Sequence, residues 1–364
     1  MQRMKSERVS TIEQLRAMLP AWTRLVEHAV EENLNYEPVP LLALLDNIPY
    51  PDWFVVLIWR GDELCGFFPM QRVRPLPLPI EQYSTLFEDH FMSCSPLIHR
   101  EHTTQCMATF WGWLNDGSTA RHYYVYEVFG HKPFSKLLVE TGAVQVMEKI
   151  DTHDRASLNS SELAFSEYWQ QITSGKSRNS LQRKQRRLAD IGTWRVEYAE
   201  NNPQQISRLL QGLSLVEDQS WKAANGSSIA SHPALFSFME TTAVHAAKSG
   251  RLMLAVAYLD DKPVAAQYGL INNGTLLIYK IGFDNQWKAY SVGHILMLNI
   301  IEHVLQNPAI ERIDSCASAD ADMFNRCLAD RVVYSKYRVA STHWLARISL
   351  RLIMAARQWR NKRR

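Results

Sequence analysis

Between Leu252 and Phe283 three apolar runs are separated by two turn signals, and no other stretch of the 364 residues restricts the fold so tightly. Leu252–Leu259 leads through Asp260-Asp261-Lys262-Pro263 into Val264–Ile271, and Asn272-Asn273-Gly274 leads into Thr275–Phe283. Asn-Gly suits a two-residue hairpin, because both central residues of a type I′ turn take positive φ. The segment is therefore predicted to be an antiparallel meander. The hydrophobic period then changes. Val292–Leu305 reads as a helix with Ser291 as its N-cap, and Ile310–Ser315 reads as another strand. Strand, helix and strand make a parallel crossover. The expected fold class is α/β, a mixed and mostly antiparallel sheet flanked by helices.

A weaker copy lies about 200 residues upstream. Trp53–Trp59, the turn Arg60-Gly61-Asp62-Glu63 and Leu64–Met70 repeat the first hairpin, and Gly112–Tyr126 and Phe134–Val146 are expected to supply the helix and later strand of that half. A chain of 364 residues is long for one domain. The division expected is residues 1–160, residues 161–342 and a C-terminal helix over 343–364.

Composition narrows the class. With 46% apolar and 21% charged residues the chain is globular rather than disordered. Its five cysteines form no CxxC pair, which fits a reducing cytosol rather than a disulfide framework. The first 20 residues carry charges throughout, so no secretory signal is expected. Apolar stretches stop short of the ~20 residues that cross a bilayer. No HExxH, GxSxG or P-loop is present, so a metal, a hydrolase triad and a nucleotide triphosphate are not expected.

Three motifs carry possible chemistry. At Ser291-Val292-Gly293 a helix N-terminus presents free N–H groups and a positive dipole end, which suit a pyrophosphate. Gly293 would let the phosphate approach, so a valine there should weaken binding at little cost in stability. Trp221-Lys222 lies in a polar loop, read either as a pocket wall with an anion contact or as a buried anchor beside a solvated lysine. Lys176–Arg187 is a basic helix whose inward stripe is Leu181, Leu188 and Ile191; a solvated face is the ordinary meaning, and nucleic acid is not expected because no aromatic residues interleave. Asp314, at the end of the crossover strand, is a candidate general base or a cap for the following helix, and Tyr279 lies inside the third strand.

The order of these elements, from Lys176-Ser177-Arg178 through Trp221-Lys222 and Gly226-Ser227-Ser228-Ile229 to Tyr290-Ser291-Val292-Gly293, resembles the CelD-type cellulose-biosynthesis acyltransferases. That is a double-domain branch of the GNAT superfamily related to the Fem peptidyltransferases. The resemblance implies two tandem GNAT-like domains, the first degenerate and the second binding acyl-coenzyme A. It places the pyrophosphate at Ser291, Val292 and Gly293; the reading of the residues adds Asp314 as general base, Tyr279 near the reacting centre, and Trp221 and Lys222 as substrate-binding residues. This chain has one glycine where such turns carry two, and it lacks the family's Gly and Tyr-Lys pair after the strand-end aspartate. The activity implied is transfer of an acyl, foremost acetyl, group to an amine or hydroxyl acceptor, small or lipid-linked, in polysaccharide or envelope metabolism. The alternatives are a Fem-like aminoacyl transfer from charged tRNA and a scaffold that has lost the chemistry.

The tail is a separate feature. Arg331 to Arg364 holds ten Lys or Arg and no acid, whereas the first 330 residues carry a net charge of −7. Leu345, Ile348, Leu352, Ala355 and Trp359 recur at helical spacing. Either the stripe docks on the body, or it lies on an anionic membrane and holds a cytoplasmic protein at its inner face.

Overall fold

A computed structural model describes residues 3–73, 80–86, 93–116, 123–130, 134–141, 146–160, 164–226 and 228–361. The chain divides into two compact units, residues 1–45, 49–153 and 333–364 in the first and 46–48 and 154–332 in the second.

The first unit begins with β1 (Lys5–Val9), α1 (Ile12–Ala17), α2 (Leu19–His28) and α3 (Pro38–Asn47). A meander follows: β2 (Trp53–Arg60), β3 (Glu63–Val73) and β4 (Ile80–Thr85), with the short β5 (Leu97–Ile98) beside β3. Then come α4 (Thr103–Leu114), β6 (Tyr123–Gly130), parallel to β4, and α5 (Phe134–Thr141). The first half thus has the full meander, helix, parallel strand order. Its helix and later strand are 103–114 and 123–130, not Gly112–Tyr126 and Phe134–Val146; the polar run from Asn115 to His122, which separates the two elements in sequence, falls inside the helix that was expected.

In the second unit β7 (Val146–Asn159) supplies residues Ser157–Asn159 to the sheet, followed by α6 (Phe165–Ile172) and α7 (Gly175–Ala189). After β8 (Trp194–Tyr198) come α8 (Pro203–Asp218), α9 (Trp221–Ala224) and α10 (Pro233–Lys248), then the meander β9 (Leu252–Leu259), β10 (Lys262–Asn272) and β11 (Thr275–Phe283). Asn273 and Gly274 have φ of 47° and 68°, as the hairpin requires. Next are α11 (Val292–Leu305), β12 (Arg312–Asp314) and α12 (Asp322–Cys327), with β12 parallel to β11. Helix α11 is apolar on nearly every side and is buried within the core of this unit.

The chain then returns to the first unit with β13 (Asp330–Ala340) and α13 (Trp344–Asn361). Each unit has the same strand order, β1-β2-β3-β4-β6-β13 in one and β8-β9-β10-β11-β12-β7 in the other. Both are mixed sheets closed by an antiparallel sixth strand, β13 on β6 and β7 on β12. The expected boundaries are corrected here: the second unit ends at residue 332, and residues 333–364 complete the first. Pairing of β13 with a strand two hundred residues earlier leaves no local signal.

A buried carboxyl ties the first unit's helices together. Glu31 accepts Ser95 Oγ at 2.8 Å and the Phe134 N–H at the start of α5 at 3.0 Å. Burial pushes it up to about 7, against the two hydrogen bonds. A raised carboxyl contributes most below its unfolded value and loses that contribution as pH rises through the folded one. The stability difference between the parent and Glu31→Gln is therefore expected to fall steadily from about pH 4.5 to about pH 7, by roughly 1.4 kcal/mol for each pH unit crossed. Urea midpoints across that range would measure it, and a flat difference would show that Glu31 does not titrate there.

Candidate functional site

The parallel pairing of β11 and β12 is short. Thr275, Leu276 and Leu277 face Arg312, Ile313 and Asp314, and there β12 ends while β11 runs on to Phe283. On its other side β11 pairs with β10 throughout, but Tyr268 faces Lys280 and Gly269 faces Ile278, so Tyr279 is the extra residue of a bulge. Bulges bend a strand and raise its twist, and they recur beside active sites. The sheet thus opens along 279–283 on the β12 side. Tyr279 sits at the start of that opening, its ring edge-on to buried Tyr268 at 5.4 Å.

Beyond Phe283 the chain passes through Asp284 to Tyr290 and enters α11. Ser291 is the N-cap, but in the left-handed conformation, φ 58° and ψ 40°, and its side chain makes no capping bond. Its Oγ instead accepts Lys184 Nζ, from α7, at 2.7 Å. Gly293 is buried, and a Cβ there would lie 3.1 Å from Phe283 Cδ1. A valine there therefore meets Phe283 as well as any phosphate, and the expected small cost in stability depends on how far that ring can give.

Lys184, Ser291 and His294 line a cavity of about 350 Å³ with Ser174, Ser177 and Arg326. Ser174 caps α7, accepting the Ser177 N–H at 3.3 Å, so the N-terminal turns of two helices border one cavity. His294 stacks edge-on against Trp169, and its Nε2 is buried with no hydrogen-bond partner among the described residues. Burial, and then the charges of Arg326 and Lys184, hold the imidazole below its ordinary value, so it is neutral near pH 7. Helix termini and cations of one sign suit an anion.

Composition alone leaves Lys184 on a solvated face, and its place in the site is a finding of the structure. A signal was present: Leu181, Lys184 and Leu188 fall at helical spacing on one stripe, and both leucines are buried. Ile191, expected on that stripe, lies beyond the helix and is exposed.

The remaining expected residues divide. Asp314 is buried; its Oδ1 accepts the Cys316 N–H at 2.8 Å and its Oδ2 lies 3.9 Å from Arg155 Nη1. Oδ1 serves the turn that ends β12, and Oδ2 faces Arg155 on β7. Lys222 is part-buried: its ammonium pairs with Glu217 Oε1 and donates to the Ile281 carbonyl at 3.0 Å. The side chain of Trp221 lies outside the described residues. Glu217 is fully buried at the end of α8, where its Oε2 also accepts the Ile229 N–H at 3.2 Å and lies 3.7 Å from Lys280 Nζ. Burial depresses Lys280 from its ordinary value, with Glu217 opposing the shift.

In the first unit Glu63, Cys65 and His102 bring one donor each within 4.8 Å, a grouping that motif spacing did not reveal. Arg60 Nη1, however, is 2.6 Å from His102 Nε2 and 3.5 Å from Glu63 Oε2, so a guanidinium already lies among these donors. Burial, with Glu63 beside it, pushes the Cys65 thiol up to about 11. The group is an ion-pair network.

Residues 175–322 match the model of the acetyltransferase (GNAT) domain. The second unit carries a GNAT domain. No curated protein matches the chain in sequence. Among solved structures it resembles FemX, at TM-score 0.52 and 8% identity over 91% of this chain and 96% of that one. L-PGS from Bacillus licheniformis gives 0.51 and 12% over 95% and 96%. The C-terminal domain of a putative lysylphosphatidylglycerol synthetase from Agrobacterium fabrum gives 0.50 and 13% over 92% and 95%. These likenesses are of fold.

Proposed function

We propose that the second unit transfers an acyl group from an acyl-coenzyme A to an amine or hydroxyl acceptor. The observation that supports this most is the opening of the sheet where β12 stops and β11 continues through the Tyr279 bulge to the start of α11. In this reading the thioester lies along 279–283, where backbone N–H groups of β11 polarise its carbonyl. The pyrophosphate sits at Ser291, Val292 and Gly293, with Lys184 as its cation. The acceptor attacks the carbonyl carbon directly, the carbon–sulfur bond breaks, and the acceptor's proton leaves with the thiolate as free coenzyme A. Tyr279 borders the reacting centre. Asp314, whose Oδ1 fixes the turn after β12 and whose Oδ2 lies 3.9 Å from Arg155 Nη1, is the candidate general base of this reading. The resemblance to CelD-type acyltransferases favours an acceptor from polysaccharide or envelope metabolism.

Titration calorimetry with coenzyme A tests the donor. Lys184→Glu is expected to weaken binding about 10–100-fold, the loss of one charge-assisted contact. Equal affinity in parent and variant would place the pyrophosphate elsewhere. Salt-sensitive tRNA binding without any response to coenzyme A would replace this reading with aminoacyl transfer, and silence toward both would favour a scaffold.

A further inference from the structure

The C-terminal helix resolves the choice between docking and exposure by doing both on different faces. Ala346 and Leu350 of α13 are buried in a cluster with Ala340, and Met354 packs against it. These residues recur every four positions and form the docked side. Of the stripe read from the sequence, Leu345 is half-buried and the rest points the other way, joined by Trp344. Trp344, Ile348, Leu352 and Trp359 are 62%, 45%, 66% and 56% exposed, and Ala355 among them is exposed as well. At 100° per residue this stripe lies opposite Ala346 and Leu350. Arg347 and Arg351 are exposed along its flank. Two tryptophans and two branched aliphatics left outward on one face far exceed the scattered singles of an ordinary surface.

We propose that this outward face of α13 binds the surface of an anionic lipid bilayer. The apolar side chains would enter the headgroup region while Arg347 and Arg351, with the basic end of the chain, contact acidic headgroups. Charge selects this occupant. Residues 331–364 hold ten basic groups and no acid, so a second copy packed face to face would set cation against cation. A lipid surface bearing negative charge meets both requirements at once, and tryptophan is favoured where apolar and wet regions meet. Among the described residues no helix is long and apolar enough to cross a membrane, so the contact is peripheral.

Co-sedimentation of the full chain with vesicles of phosphatidylcholine and phosphatidylglycerol tests this, with pure phosphatidylcholine vesicles as the control. The parent is expected to pellet with the anionic vesicles at low salt and to be released by high salt. Leu352→Glu, at a solvent-facing position, should keep the parent's thermal melt and lose at least about tenfold in partitioning. Arg347→Glu with Arg351→Glu should also weaken binding and reduce its salt dependence, the basic end of the chain supplying what remains. A parent that stays in the supernatant at low salt, or a Leu352→Glu variant that pellets as the parent does, overturns the proposal. So does a parent that is dimeric by sedimentation velocity while Leu352→Glu is monomeric, because the face would then be a protein interface.

Discussion

Glu217→Gln is expected to destabilise the second unit by about 3–5 kcal/mol, enough to unfold much of the population of a marginally stable domain. The carboxylate is fully buried and lies against two ammonium groups, Lys222 and Lys280. Its removal leaves two positive charges in a site where burial already depresses Lys280. An amide oxygen still accepts the Ile229 N–H but cannot balance either lysine. Urea unfolding followed by tryptophan fluorescence would measure the loss. Restoring neutrality supplies the control: with Lys222→Met and Lys280→Met added, most of the stability should return, since buried ionic groups replaced together by apolar ones are often tolerated. A single variant as stable as the parent would mean that water reaches the lysines.

The second large effect is expected at the bulge. In Gly269→Ala the new Cβ would lie 2.8 Å from the Leu277 carbonyl oxygen, 2.7 Å from Gln267 Nε2 and 2.8 Å from Leu276 Cδ1. A side-chain end can swing away, but the carbonyl belongs to β11 and is held beside β10. Relief requires the strands to part where Gly269 faces Ile278, next to Tyr279. The cost is expected at or above the upper end of the roughly 1–3 kcal/mol typical of overpacking. Under the proposed function, coenzyme A binding should fall with it, because the bulge sets the opening of the sheet. Thermal melts and coenzyme A titration of the folded fraction would check both. A melt as high as the parent's would show that the strand pair absorbs a Cβ without rearrangement.

Much of the second unit was legible because its signals are local. The meander and α11 follow from runs of apolar residues and from turns that only certain residues make, and their observed bounds agree with the expected ones to within about two residues. The first unit was less legible: the polar run from Asn115 to His122 separates its helix from its later strand, yet it falls inside the helix that was expected. Within the site, Ser291 was found from its place before a helix, but its conformation and its partner were not. Capping preference describes what a serine offers its own helix; here the hydroxyl is taken by Lys184 across 107 residues.

The same contrast holds for the chain as a whole. By itself the sequence determined two meander units of mixed sheet and helix, the turn that opens α11, and a basic tail with an apolar stripe, because periodicity and turn chemistry act over a few residues. The tertiary structure decided which strands close each sheet, how Glu217 came to be enclosed by two lysines, where β12 stops against β11, and which face of α13 stays outside. Each of these depends on surfaces that meet only after the chain has folded, and burial and partner charge, which set the energy of an ionic group, are properties of that meeting.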